Sequence, residues 1–332
     1  MGERRDWLDL TNEDALDPEL PICDPHHHFW HYPTSRYLVD EFLQDISGGH
    51  RVLESVFVEC LQFYDEGAPT ELQPVGETET VDRMASAPQA QNQTEIAAGI
   101  VGFADVTLGD GVRPVLEAHL QASPRFRGIR YATAWHADAK IHNAHTHPPE
   151  GLMLDPTFRT GLQHVAELGL SFDAWLYHTQ LGELADLAHT FPTLNIALNH
   201  MAGPLGIGPY ANQREQEFAN WKRQIKALSQ CENVTVKLGG RAMKTSGFEW
   251  HRKNRPPGSE ELAAAMAPYF ETCIELFRPD RCMFESNFPV DKASCSYTVL
   301  WNALKRVASS YTEAESRWLL HDTAAKFYRL NN

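Results

Sequence analysis

The chain has 332 residues, of which 42% are hydrophobic and 22% are charged, and this composition excludes a disordered protein. The formal net charge of −15 argues against nucleic-acid binding, and no run approaches the roughly 18 apolar residues that a membrane-spanning helix needs. The six dispersed cysteines form no Cys-x-x-Cys pair and indicate buried, reduced thiols, so we expect a cytoplasmic protein.

Short β-like runs alternate with amphipathic helical stretches along the chain. Such alternation predicts a parallel sheet, and eight units in about 300 residues predict a (β/α)8 TIM barrel. The runs are Ile22–His26, Val56–Cys60, Ile100–Asp105, Gly128–Ala132, Leu170–Tyr177, Asn195–Asn199, Val234–Leu238 and Cys282–Glu285. The helical stretches include Thr157–Leu168, Leu181–His189 and Glu215–Leu228.

No domain boundary interrupts this alternation. We therefore expect one domain over residues 1–332, with an N-terminal extension over 1–20 and the barrel over 21–330. Two polar segments that contain prolines, Asp65–Gln93 and Ala134–Gly151, follow the second and fourth strands. Because the loops that follow barrel strands lie at the catalytic face, we predict that both segments are long active-site loops.

Histidines stand at the end of the first strand, in Asp24-Pro25-His26-His27-His28. Strand side chains alternate between faces, so His26 and His28 share a face and can both reach one metal ion. His200 closes the sixth strand and is expected at the same rim. We predict that these three histidines are catalytic and are the candidate ligands of any bound metal ion, with a polar surface cluster as the alternative.

Other candidate residues lie at the ends of further strands. Arg130 on the fourth strand and Lys237 on the seventh are cations that suit a substrate anion, since the Arg fork binds a carboxylate through two hydrogen bonds. Glu59, at the end of the second strand, is a further substrate-binding candidate. An internal ion pair, for example of either cation with Glu59, is the alternative. Trp175 and His178, at the end of the fifth strand, are predicted to line the substrate pocket.

The eighth strand continues into Glu285-Ser286-Asn287-Phe288-Pro289. Together with the first-strand Asp-x-His-x-His, His200 and Lys237-Leu238-Gly239-Gly240, this segment resembles the "amidohydrolase 2" group of the amidohydrolase superfamily. The resemblance runs from about Ile22 to Leu330. It implies a TIM-barrel hydrolase similar to the lactonases that act on sugar lactones and on pyrone dicarboxylate.

One position departs from that group. The superfamily usually ends the eighth strand with an Asp that binds metal and acts as general base, and the matching residue here is Asn287. An amide cannot take a proton from water, although it can orient a water molecule. The sequence leaves open whether Asp291, four residues further on, replaces the missing aspartate. Some of the group's lactonases are similar to metalloenzymes, whereas the pyrone-dicarboxylate type works without metal. The resemblance therefore implies either one weakly bound divalent ion, zinc or manganese, or no metal ion.

The expected activity is hydrolysis of a lactone, or of a related cyclic ester or amide, in a small substrate that carries a carboxylate. His26, His28 and His200 would converge on the water or the carbonyl oxygen, Asn287 would position the water, and Arg130 would hold the substrate anion. The alternatives are a metal-dependent decarboxylase of an aromatic or unsaturated acid and an inactive barrel that binds a small acid. We expect neither a nucleic-acid nor a membrane partner, and the oligomeric state stays open.

Overall fold

Eight parallel strands follow one another around a barrel in chain order in the computed structural model, which describes residues 4–87 and 94–330. They are β1 (Pro21–His27), β2 (Arg51–Val58), β3 (Glu95–Gly102), β4 (Phe126–Ala132), β5 (Ser171–Trp175), β6 (Asn195–Leu198), β7 (Val234–Leu238) and β8 (Cys282–Phe284). A parallel bridge between His27 and Phe288 joins the two ends of the sheet. The predicted (β/α)8 barrel is confirmed.

Helices surround the strands, and the three helical stretches predicted above begin and end within one residue of helices in the structure. Within residues 4–87 and 94–330, no helix is long and apolar enough to cross a membrane. The helices are α1 (Arg5–Leu8), α2 (Val39–Ile46), α3 (Val75–Ser86), α4 (Arg113–Ala122), α5 (Pro156–Glu167), α6 (Leu181–Thr190), α7 (Arg214–Leu228), α8 (Ser259–Phe277), α9 (Tyr297–Ala308), α10 (Glu313–Arg317) and α11 (Thr323–Phe327).

The segment after β2 is not one continuous loop. Helix α3 occupies the second part of Asp65–Gln93, so the prediction of a loop over that range is wrong there, and residues 88–93 lie outside the described residues. The sequence pattern does not reveal this helix, because its buried side includes Glu77 and Thr78 as well as Val81, which weakens the apolar periodicity. The segment Ala134–Gly151 after β4 is a loop, as predicted.

The C-terminal segment closes the end of the barrel at which the strands begin. Tyr328 and Leu330, which follow α11, pack with apolar side chains of the barrel interior such as Val56 and Val101. Leu330 lies so close to β3 that a Cβ on Gly99 would be 3.1 Å from its Cδ2 atom. All six cysteines are free and five of them are buried, in agreement with reduced thiols.

Candidate active site

Two histidines and a glutamate from three distant parts of the sequence meet at the rim of the barrel. His26 comes from β1, His200 follows β6 and Glu285 directly follows β8. One ligand atom of each lies within 4.8 Å of the others, and all three residues are buried. Glu285 Oε1 is 2.5 Å from His200 Nδ1, and Glu285 Oε2 is 2.8 Å from His26 Nδ1. We call these three residues the His-Glu cluster.

Two glycines at the end of β7 make room for the cluster. A Cβ on Gly239 would lie 2.3 Å from Glu285 Cγ, and a Cβ on Gly240 would lie 2.5 Å from His200 Cγ. Gly240 also has a φ of +64°, which residues with side chains rarely adopt. The Gly-Gly pair after Lys237 and Leu238 therefore lets the imidazole and the carboxylate approach each other.

The donor atoms of the cluster suit a divalent metal ion. Burial, followed by the positive charge of Lys237, lowers the pKa of His26 well below its usual value, so this imidazole is neutral and can act as a ligand. Glu285 Oε2 is buried and, apart from its 2.8 Å contact with His26 Nδ1, has no hydrogen-bond partner among the residues that the structure describes. Two imidazoles and one carboxylate are a known ligand set of catalytic zinc, and the set leaves a position open for water.

His28 lies beside the His-Glu cluster and is not part of it. The sequence predicts His28 as the third member, and in the structure Glu285 has this position. The His28 Nδ1 atom is 2.7 Å from the carbonyl oxygen of Val58, so this nitrogen carries the proton. Its ring centre is 4.9 Å from that of His26. The Nε2 atom of His28 therefore carries the lone pair, next to the cluster.

Asn287 is also adjacent, but its amide has a partner of its own. The Nδ2 atom donates to Asp291 Oδ1 at 3.0 Å, while the backbone N–H of Asn287 donates to the carbonyl oxygen of His26 at 2.9 Å. Asp291 Oδ2 accepts a further hydrogen bond from the backbone of Ala242. Burial raises the pKa of Asp291 to about 8. Asp291 thus supports the loop after β8.

Arg130 and Glu59 form a buried ion pair, the alternative that the sequence left open. The Nε atom of Arg130 is 2.6 Å from Glu59 Oε1, and the same guanidinium lies 3.4 Å from His26 Nε2. His145, from the loop after β4, lies 3.4 Å from the same carboxylate. Burial would raise the pKa of Glu59, but Arg130 and His145 lower it to about 2, so the carboxylate is charged.

Glu77 of α3 holds the chain that follows Glu59. Its Oε1 atom accepts hydrogen bonds from the backbone N–H groups of Cys60 at 3.1 Å and Gln62 at 2.8 Å. Burial, together with the negative charge of Glu59, raises the pKa of Glu77 to about 8. The folded protein thus keeps a proton on Glu77 at a pH where an unfolded chain has released it.

Replacement of Glu77 by glutamine is expected to increase stability relative to the wild type as the pH rises. Because the pKa of Glu77 is raised, the contribution of this residue to the free energy of unfolding falls between pH 4.5 and about pH 8, by up to about 1.4 kcal/mol per pH unit. Glutamine keeps an acceptor for both N–H groups and does not titrate. Urea unfolding should show that the free energy of unfolding of Glu77→Gln, relative to that of the wild type, is higher at pH 8 than at pH 5.5.

The control for this prediction is Glu77→Ala, which removes the acceptor and should be less stable than the wild type at both pH values. An equal effect of Glu77→Gln at pH 5.5 and pH 8 would contradict the raised pKa.

Lys237 forms a second buried ion pair inside the barrel. Its Nζ atom is 2.7 Å from Asp173 Oδ2 and donates to the carbonyl oxygen of Pro25 at 2.8 Å. The hydroxyl of Tyr328 donates to the same Asp173 carboxylate at 2.9 Å. The ammonium also lies 3.4 Å from His26 Nδ1. Lys237 therefore has an internal counter-ion and adjoins the His-Glu cluster.

Glu285 differs from Glu59 and Asp173 in its ion-pair partners. Arg130 is paired with Glu59 and Lys237 with Asp173, whereas Glu285 contacts only imidazoles in the ion pairs described. Among the ion pairs of the described residues, the Glu285 carboxylate therefore has no lysine or arginine partner. A divalent cation held by the His-Glu cluster would supply a positive charge at this position.

Trp175 contacts the cluster, whereas His178 contacts a different set of residues. The Trp175 ring stands edge-on to His200, with ring centres 4.9 Å apart. His178 Nε2 is 3.3 Å from Glu217 Oε2, and its ring centre is 5.1 Å from that of Tyr210.

Two cavities lie near these residues. His178, Glu217 and Tyr210 line a cavity of about 500 Å³. A second cavity, of about 740 Å³, has walls formed by residues that follow His28 and Asn287.

Two residues of the site were not singled out from the sequence. Glu285 stands at the end of the eighth β-like run, but the comparison with the family pattern drew attention to Asn287 instead. Asp173 is an acidic residue within the apolar fifth run, and a charge there signals a buried partner. The acidic side chains of Glu285 and Asp173 stand out in these apolar runs, but the sequence does not show that their partners are histidines and a lysine, respectively.

Comparisons with known proteins agree on one family. A family model described as amidohydrolase matches residues 23–330. The uncharacterized protein y4mH of Sinorhizobium fredii is 32% identical, in an alignment that covers 94% of this chain and 99% of that protein. An L-fucono-1,5-lactonase of Burkholderia multivorans is 22% identical over 320 residues, which cover 92% of this chain and 95% of the lactonase.

A solved structure has the same fold. It is an amidohydrolase of Burkholderia multivorans with bound zinc, which superposes with a TM-score of 0.70 at 20% sequence identity. The similarity covers 93% of this chain and 99% of that one.

Proposed function

The chain belongs to the amidohydrolase family and is a hydrolase, and we propose that it opens a lactone ring by attack of water at the His-Glu cluster. The observation that carries this proposal is the convergence of His26, His200 and Glu285 at the rim where barrel enzymes keep their active sites. The similarity to an L-fucono-1,5-lactonase favours a lactone over other carbonyl substrates.

In this proposal the His-Glu cluster holds one divalent ion, zinc or manganese. Such an ion, when bound, lowers the pKa of a water molecule and polarises the carbonyl group of the substrate. The arrangement favours Glu285 over His28 as the third ligand, since one ligand atom each of His26, His200 and Glu285 lies within 4.8 Å of the others. Glu285 thus supplies the negative charge that Asn287 cannot.

The surrounding side chains have separate tasks. Glu285 Oε2, which is buried beside His26, is the proposed acceptor for the proton of the attacking water. Asn287 orients that water through its Oδ1 atom, because its Nδ2 atom is bound to Asp291. His28 and Trp175 border the place of the substrate carbonyl, through the His28 Nε2 atom and the edge of the indole.

The two ion pairs favour a substrate without charge. Arg130 and Lys237, which were expected to hold a substrate carboxylate, are each paired with a buried carboxylate at 2.6 and 2.7 Å. A substrate anion would have to compete with Glu59 or Asp173 for them, and one of these would lose its counter-ion. We therefore propose an uncharged lactone, such as a sugar lactone, and assign both cations to the electrostatics of the cluster.

The test combines metal analysis with activity. The purified protein is analysed for bound metal and then assayed with L-fucono-1,5-lactone and with dianionic 2-pyrone-4,6-dicarboxylate, before and after treatment with a chelator. We expect hydrolysis of the uncharged lactone at least about tenfold faster than of the dianion, loss of activity with the chelator and recovery with zinc or manganese.

Other results would support the alternatives. Release of carbon dioxide from an aromatic acid, without lactone hydrolysis, would identify a decarboxylase. A protein that binds metal and small acids but turns over neither class of substrate would be an inactive barrel. Faster hydrolysis of the dianion would overturn the proposed preference for an uncharged substrate.

A further inference from the structure

His200 stands in a turn of left-handed backbone. The φ angles are +53° at His200, +54° at Met201, +63° at Ala202 and +43° at Gly203. Residues with a Cβ avoid this conformation because the Cβ comes too close to the following carbonyl oxygen, and they visit it as single residues. Three such residues in succession therefore need support from the rest of the protein.

Two buried side chains supply that support. The indole Nε1–H of Trp221, in α7, donates a hydrogen bond of 2.9 Å to the carbonyl oxygen of Met201. The guanidinium of Arg241 donates a hydrogen bond of 2.7 Å to the carbonyl oxygen of Pro204, just after the turn. Trp221 is completely buried and Arg241 is 2% exposed, so water does not compete for either bond.

The turn fixes the direction of the His200 ring. Its Nδ1 atom lies 2.5 Å from Glu285 Oε1, and its ring sits where a Cβ on Gly240 would be 2.5 Å away. Trp175 packs against the same ring and approaches Gly203 so closely that a Cβ there would be 2.6 Å from the indole. A change in the turn would therefore displace the imidazole from the carboxylate.

We propose that Trp221 is a positioning residue for the active site: its indole N–H holds the left-handed turn that presents His200 to Glu285. The ring of Trp221 packs against Phe218 and Tyr269, and its N–H acts on His200 through the backbone of Met201. The consequence for catalysis rests on the proposed function, whereas the consequence for the His200 ring does not.

The decisive test needs neither metal nor substrate. In metal-free protein labelled with ¹⁵N-histidine, the Nδ1–H proton of His200 should resonate far downfield because of its short bond to Glu285, and His200→Asn identifies the signal. We expect Trp221→Phe, which keeps a ring but removes the N–H, to shift this signal upfield or broaden it. Trp250→Phe is the matched control, since Trp250 is buried and donates its N–H to Glu261.

A second arm measures the affinity for zinc alone by calorimetry. Trp221→Phe is expected to bind zinc at least about tenfold more weakly than the wild type, while Trp250→Phe retains the wild-type affinity. Ala202→Gly, which removes the steric conflict at one position of the turn, should recover part of the affinity in the Trp221→Phe background.

The outcomes separate this proposal from the proposed function. An unchanged His200 signal in Trp221→Phe, or an equal change in Trp250→Phe, would overturn the positioning role. Absence of zinc binding or of lactone hydrolysis in the wild type would overturn the proposed function, and the histidine spectra would still decide the role of Trp221.

Discussion

Replacement of Glu285 by glutamine is expected to remove most of the lactone hydrolysis while the barrel stays folded. Glutamine preserves the size of the side chain but carries no charge and cannot accept a proton from water. We expect the catalytic rate to fall by about 10²- to 10⁴-fold, the usual contribution of a general base, and zinc affinity to fall at least about tenfold. Steady-state kinetics and calorimetry with zinc measure the two effects.

The control for Glu285→Gln is the same change at Glu54. Glu54 lies in β2, is 8% exposed and pairs with His321, with 3.6 Å between the Oε2 and Nε2 atoms. Its replacement removes a carboxylate that contacts a histidine outside the cluster, so activity and zinc affinity should stay near those of the wild type. A Glu285→Gln variant that keeps more than half of the wild-type rate would show that the carboxylate is dispensable.

Replacement of Lys237 by methionine is expected to produce the largest loss of stability. The change leaves Asp173 buried without the cation that now lies 2.7 Å away, and breaking a buried pair by removing one partner costs about 3–5 kcal/mol. Denaturant unfolding measures the loss. The double change Lys237→Met with Asp173→Asn removes both charges and should recover most of the stability.

The half-exposed pair of Lys253 and Glu261 serves as the comparison. Lys253→Met should cost no more than about 1 kcal/mol, because water screens exposed ion pairs. If Lys237→Met unfolds at the wild-type denaturant concentration but loses activity, then Lys237 acts on the substrate rather than as the counter-ion of Asp173.

The barrel was predictable because its signals are local. Strands that are covered on both faces read as short apolar runs, and the helices between them show their own periodicity, so each unit can be recognised within about 15 residues. The position of His26 and His200 followed from the same rule, since side chains at the carboxyl ends of parallel strands share one rim. The apolar periodicity did not reveal helix α3, because Glu77 and Thr78 lie on its buried side.

The pairing of charges was not predictable in the same way. Whether Arg130 meets Glu59 or a substrate depends on how β4 sits beside its neighbours, and the register that places Arg130 opposite Asp173 is a property of the assembled sheet. The direction in which the Glu285 side chain points depends on the backbone after β8, where Asn287 has a φ of +55°. Such information is distributed over contacts between residues distant in the chain.

The closure of the barrel floor has a consequence for biosynthesis. Tyr328 donates a hydrogen bond to Asp173, and its segment is translated after all eight strands. A nascent chain on the ribosome can therefore assemble the strands before the last donor to the Asp173 carboxylate has emerged from the exit tunnel. Until then the bottom of the barrel stays open, and Asp173, the counter-ion of Lys237, lacks one of the donors that hold its carboxylate in the folded protein.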